Sequence, residues 1–368
     1  MKIICSQPSL NKALSTVQKA ITNRTTIPIL KGILIETTEK NTIKLTATDS
    51  EICIERECEC IVEESGSLVV SSKLFVEMIR KLPEEDITIE EKEGTINIKC
   101  RKYQSDIVAL PSEEFPSVSQ IEEMDKIVLN RDSFRNMIRK TSFAASTDES
   151  RGVLTGVLIT VEEGCLTLVA VDGFRLAINR IPVETDDNFT IIISSRVLNE
   201  ISKILSEEDV EEFTLTTGEK NSVFNIGNTK VTTRLLEGNF IDYNEILPKS
   251  CSTKVIVNRR DIIDVIERAS LVAREGNNNN LIRVNISKED GLITIASRSE
   301  AGKIKEELNV EIEGEGLEIG FNSKYVLDVM RATDDDEAVL ELNSSLTPCM
   351  VKPVEGNSYE YLVLPVRL

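Results

Sequence analysis

Apolar residues recur at helical spacing in two kinds of segment, and each kind occurs three times along the chain. The first kind, which includes Leu10, Leu14 and Val17, covers residues 9 to 21, 131 to 144 and 260 to 273. The second kind reads SSKLFVEMIRKL, SSRVLNEISKIL and NSKYVLDVMRAT, at residues 71 to 82, 194 to 205 and 322 to 333. This spacing puts apolar side chains on one helix face and predicts six amphipathic helices.

Two details of these helices are also predicted. Ser9, Asp132 and Asp261 lie at or within a residue of the expected N-caps of the first kind, since their side-chain oxygens can accept backbone N–H groups. In the first copy of the second kind, we expect Leu74, Met78 and Ile79 to face the core.

Short alternating strands separate the helices, and they repeat with a period of about 123 to 128 residues. KIVLNR at 126 to 131 and KVIVNR at 254 to 259 begin two of the units, and MKIICSQ at 1 to 7 is a less similar copy of the same motif. The tips TDSE, VDGF and SRSE coincide in the three units, and Asp-Gly between alternating strands indicates a hairpin. We therefore predict three similar α+β domains, 1–125, 126–250 and 251–368, with antiparallel sheets and the two helices of each domain on one face.

Composition is typical of a globular protein outside the membrane. The longest apolar runs are about five or six residues, too short for a membrane span, and the N-terminal segment lacks a signal-peptide pattern. We expect a cytoplasmic protein. Eight scattered cysteines and the absence of histidine favour small buried thiols in a reducing compartment over a zinc site, and Cys58 and Cys60 are expected to share a strand face.

The net charge of −19 argues against a nucleic-acid partner, but the charges are unevenly distributed. Counted over windows 9 to 21, 71 to 82, 130 to 144, 194 to 205, 258 to 273 and 322 to 333, the helices hold 80 residues with 16 basic and 7 acidic side chains, which leaves −28 on the other 288 residues. In the second kind of helix a base, an acid and a base fall at i, i+4 and i+7 along one face: Lys73, Glu77, Arg80; Arg196, Glu200, Lys203; Lys324, Asp328, Arg331. For any single helix, an ordinary solvated face is the better explanation of this pattern, and it is the six helices together that favour a basic surface.

Helices gathered on one side would form a positive concave surface that can hold a polyanion. Lysine and arginine on helix faces contact phosphates without reading sequence. Aromatic residues make up 4% of the chain, which gives no support for stacking on single strands. The expected ligand is the backbone of duplex DNA.

Several motifs in a fixed order resemble one protein family. The three-unit repeat, RTTIPIL at 24 to 30, VDGFRLA at 171 to 177, FIDYNEILP at 240 to 248 and the terminal YLVLPVRL are similar to the bacterial DNA polymerase III beta subunits, the replication sliding clamps. The resemblance implies a DNA-clamp fold, closed as a head-to-tail homodimeric ring around duplex DNA. It also implies a non-catalytic processivity factor without cofactors or metal, whose partners are the polymerase III catalytic subunit, the clamp loader, and other polymerases and repair proteins with short hydrophobic motifs.

The resemblance also implies residues for each site. The deep part of a partner-peptide groove would be lined by Leu154, Val171, Gly173, Arg175, Leu176, Ile246, Leu362 and Leu364. Its flatter neighbouring surface would comprise Arg151, Phe174, Asn322, Tyr325, Met350, Pro365, Val366 and Arg367. From the residues alone, the apolar terminal strand either fills a core or walls a pocket.

DNA contacts and the subunit contact follow in the same way. The best single match to a DNA-binding residue is Arg24, and position on the helices adds Lys12, Lys73, Arg80, Arg135, Arg139, Arg196, Lys203, Lys324 and Arg331. Ile107, Leu271 and Val272 resemble the dimer contact, although burial in the core is an equally good interpretation.

Two other classes of function are an enzyme and a scaffold that binds only proteins. Ser9 and Lys12 have the Ser-x-x-Lys spacing of some hydrolases, but no partner motif follows and the segment is an ordinary helix turn. The chain also lacks histidine and a phosphate-binding glycine loop, so catalysis is not expected. A three-domain scaffold that binds only proteins remains the alternative to a clamp.

Overall fold

A computed structural model describes residues 1–22, 25–117, 122, 124–275 and 280–368. The helices in this part of the chain are α1 (Gln7–Val17), α2 (Ser72–Lys81), α3 (Arg131–Thr141), α4 (Ser195–Glu207), α5 (Arg259–Arg274) and α6 (Ser323–Ala332). All six predicted helices are present, within a few residues of the expected ends.

The strands follow the same threefold order. The first third has β1 (Lys2–Ser6), β2 (Gly32–Thr37), β3 (Thr42–Thr48), β4 (Ile52–Glu59), β5 (Ile61–Glu64), β6 (Ser67–Ser71), β7 (Asp86–Lys92), β8 (Thr95–Cys100) and β9 (Tyr103–Pro111). The second has β10 (Lys126–Asn130), β11 (Gly156–Glu162), β12 (Cys165–Val171), β13 (Arg175–Pro182), β14 (Phe189–Ser194), β15 (Glu212–Thr217), β16 (Asn221–Ile226) and β17 (Thr229–Arg234). The last has β18 (Thr253–Asn258), β19 (Leu281–Ser287), β20 (Leu292–Ser299), β21 (Gly302–Asn309), β22 (Glu311–Gly314), β23 (Leu317–Asn322), β24 (Glu337–Leu342), β25 (Cys349–Lys352) and β26 (Tyr359–Val363).

These elements form two compact units, residues 1–132 with 200–235 and residues 133–199 with 236–368. The first unit holds one 13-stranded sheet in the order β10-β15-β16-β17-β4-β3-β2-β6-β9-β8-β7-β1-β5. The second holds a nine-stranded sheet, β14-β11-β12-β13-β26-β25-β24-β18-β22, and a four-stranded sheet, β21-β20-β19-β23. Strand neighbours such as β3 and β4, or β12 and β13, are antiparallel, so the predicted α+β class is confirmed.

Sheets run on across the predicted domain boundaries. β17 pairs with β4, with Val231 opposite Ile54, and β26 pairs with β13, with Leu362 opposite Leu176. Backbone hydrogen bonds at these joints use strand edges that would otherwise remain open. The strands of the middle third are thereby shared between the two units, and the three-domain boundaries stay a prediction.

The helix starts differ from the prediction because residues two or three positions earlier cap them. Ser6 caps α1, and the side chain of Asn258 accepts the backbone N–H groups of Arg260 and Asp261 at the start of α5. The Oδ1 atom of Asn130 likewise accepts the N–H of Asp132, 3.1 Å away. The predicted caps Ser9, Asp132 and Asp261 are therefore wrong, because each of them lies inside the first turn.

The buried face of α2 is also shifted from the predicted one. Phe75, Val76 and Ile79 are buried, whereas Leu74 is half exposed and Met78 only partly buried. Spacing of i, i+1 and i+4 still makes one apolar stripe, because successive residues turn by about 100°. Leu74 thus lies toward the side that carries Lys73.

Three further observations concern membrane-spanning helices, metal-binding groups and the cysteines. In the described ranges, no helix is long and apolar enough to cross a membrane. Within those same ranges, no group of three or more acidic, cysteine or histidine side chains could hold a metal ion. All eight cysteines are free thiols.

Candidate functional site

An apolar cluster in the second unit gathers many of the predicted groove residues. Its buried members come from β11 to β14, β25 and β26: Leu158, Val169, Val171, Leu176, Ile178, Ile192, Met350 and Leu362. Partly buried side chains pack over them: Val153, Leu154, Leu236, Phe240, Tyr243, Leu247 and Leu364. We call this set of residues the groove cluster. A partly buried apolar layer over a buried one is the arrangement in which a hydrophobic ligand displaces water from a preformed surface.

Some members of the groove cluster were missed or misassigned from the sequence. Met350 was expected on the flatter surface but is only 2% exposed, because β25 turns its side chain into the cluster. Phe240, Tyr243 and Leu247 belong to the cluster, and their apolar spacing within FIDYNEILP was the signal for them. Ile246 of the same segment is exposed enough to form part of an outer rim.

The turn between β12 and β13 is held by Asp172. Its Oδ1 atom accepts the N–H groups of Phe174 and Arg175, at 2.9 and 3.0 Å. Gly173 has φ of +87°, and a Cβ there would lie 3.1 Å from Nη1 of Arg151. Glycine is needed because other residues rarely adopt this conformation. The N–H of Leu364 donates to the carbonyl of Phe174 at 2.8 Å, which ties the last strand to the turn.

Arg175 is buried beside the groove cluster and links the turn between β12 and β13 to α6. It is 7% exposed, and its guanidinium donates to Asp172 at 3.0 Å, to Asp328 at 2.5 Å and to the carbonyl of Phe143 at 2.6 Å. The ring of Tyr325 lies 4.8 Å from the guanidinium carbon. Charge-assisted bonds of this kind are strong and directional, so Arg175 holds the turn to α6.

The exposed side of the turn carries a stacked pair of aromatic rings. Phe174 and Tyr325 have ring centroids 5.8 Å apart at an angle of 19°. Arg151 lies 6.0 Å from the Phe174 ring and donates to the carbonyl of Asp172 at 2.7 Å. Burial raises the pKa of Tyr325, so its hydroxyl stays neutral at physiological pH. This side therefore offers a flat aromatic surface with one cation beside it.

The remaining predicted residues lie in the segment after β26 and at the start of α6. The N–H of Val366 donates to the carbonyl of Gly320 at 2.8 Å, and a Cβ on Gly320 would lie 2.7 Å from the carbonyl oxygen of Val366. Pro365 is partly buried and Arg367 is exposed. The Asn322 side chain caps α6 by accepting from Lys324 N–H at 3.0 Å. Leu362 is buried in the core, and Leu364 lies in the partly buried layer over it, so the role of this segment in a pocket stays a prediction.

The internal repeat builds an equivalent surface in the first unit, and part of it is polar. Aligning the tips TDSE and VDGF, and the strand registers beside them, matches five apolar positions with polar or smaller residues, whereas Leu158 corresponds to Leu34, which remains in an apolar cluster. Val169, Val171, Leu176, Ile178 and Leu362 correspond to Thr46, Thr48, Cys53, Glu55 and Thr232. A cavity of about 430 Å³ there is lined by Glu36, Lys44, Glu55 and Lys230, among others.

The charges in that cavity are paired with one another. Lys44 Nζ lies 3.0 Å from Glu36 and 3.6 Å from Glu55, and Lys230 Nζ lies 3.7 Å from Glu55. An apolar ligand would remove water from these charged groups and offer them no hydrogen bonds in return, so its binding would carry a desolvation cost. The groove cluster, whose members are all apolar or aromatic, therefore suits a hydrophobic ligand better than this cavity does.

Basic side chains line the exposed faces of the helices, as the sequence pattern suggested. On α2, Arg80 pairs with Glu77 at 2.6 Å, and on α4 Lys203 pairs with Glu200 at 2.7 Å. Lys73, Arg196 and Lys324 are exposed. The pattern differs on α6, where Asp328 turns toward Arg175 and Arg331 instead pairs with Glu267 at 2.6 Å.

Other predicted bases make contacts from the first kind of helix. Arg139 pairs with Asp334 at 2.5 Å and donates to the carbonyl of Ala332 at 3.2 Å. Lys12 lies 3.5 Å from Glu208, and Arg135 is partly buried. Arg24 lies outside the described residues. Convergence of the bases on one DNA-facing lining stays a prediction.

The predicted subunit contacts lie near two open strand edges. β9 pairs with β6 only at residues 109 to 111, so Tyr103 to Val108 has β8 on one side and an open edge on the other. On this edge Ile107 is 8% exposed while Val108 is 71% exposed. β21 forms an open edge of the four-stranded sheet. On the last turns of α5, Leu271 is 64% exposed and Val272 is partly buried.

Comparisons with known proteins agree on one family. Models of the N-terminal, central and C-terminal domains of the DNA polymerase III beta subunit match residues 1–119, 128–242 and 244–367. A protein named beta sliding clamp from Staphylococcus epidermidis is 36% identical over 366 residues, covering 96% of each chain, and one from Staphylococcus aureus is 35% identical over 368 residues, again covering 96% of each chain.

Solved structures give the same result. The DNA polymerase sliding clamp of Bacillus subtilis matches with a TM-score of 0.95 and 33% identity, covering 100% of this chain and 99% of that one. A sliding clamp of Pseudomonas aeruginosa bound to griselimycin matches with a TM-score of 0.93 and 27% identity over the full length of both chains.

Proposed function

The chain belongs to the DNA polymerase III beta subunit family, and from that premise we propose how this non-catalytic sliding clamp holds DNA and its partners. Two copies close head to tail into a ring around duplex DNA. Each copy contributes three domains, 1–125, 126–250 and 251–368. The protein acts in the cytoplasm, with polymerase and DNA as its partners.

Ring closure uses the two open strand edges. We propose that β9 of one copy pairs with β21 of the other, because unpaired backbone groups on two edges satisfy each other when the strands join. Val108, Ile107 and Leu271 then contribute apolar contact. A head-to-tail contact of this kind joins different surfaces, so two copies can close a ring.

The dimer is tested by sedimentation of Val108→Glu beside Leu346→Glu, a control at another site where leucine is 71% exposed. The unmodified protein and the control should sediment as a dimer of twice 41.0 kDa. Val108→Glu should sediment as a monomer, because the new carboxylate would be buried at the joint. A monomeric unmodified protein would refute this closure.

DNA is held by basic helix faces without sequence recognition. The observation that carries this proposal is the exposure of Lys73, Arg196 and Lys324 at the same repeat position on three helices. Contacts of this type are individually weak and depend on salt, which suits a ring that slides. Arg24, Lys12, Arg80, Arg135, Arg139, Lys203 and Arg331 complete the proposed set.

Topological binding is tested by loading the protein onto nicked circular DNA and then cutting the circle. A ring should remain on the circle in about 1 M salt, which screens the contacts to phosphate, and should leave once the DNA is linear. A scaffold that binds only proteins would not be retained on the circle. Lys73→Glu with Arg196→Glu should leave the dimer and its retention on the closed circle intact but speed its loss from the cut DNA, where contacts to phosphate slow the ring.

The groove cluster takes short hydrophobic motifs of partner proteins. We propose that the polymerase III catalytic subunit, the clamp loader, and other polymerases and repair proteins share it, anchoring leucine or phenylalanine side chains against Leu154, Leu364 and Tyr243. Burial of each anchor contributes about 1.5–3 kcal/mol. Arg151 and Arg367 lie at the rim and orient the motif, with Phe174 and Tyr325 beside it.

Peptide binding is tested by fluorescence anisotropy with a labelled hexapeptide that carries two leucines and one phenylalanine. Leu364→Ala should weaken binding by about tenfold, which corresponds to about 1.4 kcal/mol. Leu346→Ala, at a remote exposed leucine, is the matched control and should leave affinity unchanged. Equal affinity for all three proteins would contradict this site.

A further inference from the structure

Two cysteines lie close together at one end of the 13-stranded sheet, Cys5 on β1 and Cys60 immediately before β5. β1 pairs with β5 so that Ile3 is opposite Val62 and Ile4 is opposite Ile61. Continued by one residue, the same register brings Cys5 opposite Cys60, and their side chains are close enough for each to shift the pKa of the other. Nothing in clamp function requires this pair, since it lies outside the groove cluster and the basic helix faces.

The backbone geometry at this position suits a disulfide. Residues directly opposite each other on antiparallel strands have Cα atoms about 4.5 or 5.5 Å apart, depending on the hydrogen-bond pattern. A disulfide requires about 4.4 to 6.8 Å, so either type of pair can be bridged without moving the strands. The loop between the two cysteines is long, about 55 residues, so closing it restricts the unfolded chain strongly.

The two thiols differ in their surroundings. Cys5 is buried, whereas Cys60 is partly exposed between β4 and β5. The neighbouring Cys5 side chain lowers the pKa of Cys60, and Cys60 together with burial raises the pKa of Cys5. Cys60 is thus the accessible thiol with more thiolate character, and Cys5 is positioned as the resolving thiol.

We propose that Cys5 and Cys60 form a reversible disulfide when the protein meets a hydroperoxide. The Cys60 thiolate attacks the peroxide, so that an S–O bond forms, the O–O bond breaks and the alkoxide leaves with a proton as an alcohol. The Cys5 thiol then loses its proton and attacks the Cys60 sulfur. An S–S bond forms, the S–O bond breaks and water leaves, and the peroxide has accepted two electrons.

The disulfide between Cys5 and Cys60 would stabilise the edge of the sheet at β5. β5 is the last strand of the 13-stranded order and pairs only with β1 over three residue pairs. Cys5 also immediately precedes Ser6, the N-cap of α1, which carries Lys12. Oxidation would therefore hold the outermost strand and the start of a basic helix in place.

The experiment treats the purified, unmodified dimer with hydrogen peroxide, blocks free thiols and maps tryptic peptides by mass spectrometry without reduction. We expect the peptide of residues 3 to 12 linked to that of residues 57 to 73, and its loss after dithiothreitol. Because the second peptide also contains Cys58, the link must persist in Cys58→Ser and disappear in Cys60→Ser. Cys58→Ser is a matched control, since Cys58 is a neighbouring thiol on the same segment.

A second measurement does not depend on mapping. Peroxide should raise Tm by several degrees in the unmodified protein and in Cys58→Ser, and leave Tm unchanged in Cys60→Ser. Other partly exposed thiols, such as Cys165 and Cys251, should oxidise more slowly than Cys60. A link that survives Cys60→Ser, or oxidation of Cys60 to sulfinic acid with no linked peptide, would overturn the proposal.

Discussion

Replacing Glu208 with glutamine should destabilise the first unit by about 3 kcal/mol. Glu208 follows α4 and is 8% exposed, and its carboxylate pairs with the guanidinium of Arg56 on β4, which is 7% exposed. Arg56 also donates to Thr229 Oγ1 at 2.7 Å and to Thr16 Oγ1 at 3.4 Å. The pair joins a strand of the first third to the end of a helix of the second.

The magnitude follows from leaving a charge buried without its counterion. Removal of one partner of a buried ion pair costs about 3–5 kcal/mol. We take the lower end, because the two threonine hydroxyls continue to accept from Arg56. Replacing both partners with apolar residues, Arg56→Met with Glu208→Leu, should restore stability to within about 1 kcal/mol, since no unpaired charge then remains.

Glu207 provides a control one residue away. Its carboxylate pairs with Lys19 at 2.7 Å but is 45% exposed, so Glu207→Gln should cost less than about 1 kcal/mol. The assay is native-state hydrogen exchange at the amides of Ile54 and Val231, because a chain of several domains need not unfold in two states. Equal protection in Glu208→Gln and Glu207→Gln would refute the reasoning, as would a double variant no more stable than Glu208→Gln.

Two further predictions concern the second unit. Burial opposes ionisation of Asp334, but hydrogen bonding and the charges of Lys140 and Arg139 lower its pKa below the ordinary value. The ionised carboxylate therefore stabilises the fold above about pH 4, and this stabilisation is lost as the pH falls and the carboxylate is protonated. Thermal unfolding between pH 3 and 7 should show a smaller acid-dependent decrease in Tm for Asp334→Asn than for the unmodified protein. Gly173→Ala should cost about 1–2 kcal/mol because of the left-handed backbone at that position, and it should weaken binding of the hydrophobic hexapeptide; unchanged affinity would show that the turn is not part of the groove.

Much of the fold was predictable because it depends on short-range periodicity. The six helices and the antiparallel sheets follow from spacings of 3.6 and 2 residues, which are properties of neighbouring positions. Repetition strengthened each assignment, since VDGF and its counterparts had to occupy the same place in every unit. The predicted N-cap positions were wrong by two or three residues, because several polar residues lie near each helix start. The sequence does not show which of them has the backbone conformation of a cap, as Asn130 and Asn258 do.

The candidate site was less predictable because its contacts join distant parts of the chain. Asp328 fits a solvated base-acid-base pattern in the sequence, yet it pairs with Arg175, 153 residues away. Met350 and Leu362 are adjacent on paired strands, a fact of register that no local pattern contains.

The sequence by itself determined the repeat, the class of each element and the concentration of positive charge on the helices, because these depend on residue type and spacing alone. Only the tertiary structure decided that one copy of the repeated surface is apolar and the other is crossed by ion pairs. That difference arises where strands from separate thirds pair, β26 beside β13 and β17 beside β4. Side chains on such strands become neighbours only after the chain has folded, and their burial then decides which surface can bind a hydrophobic partner.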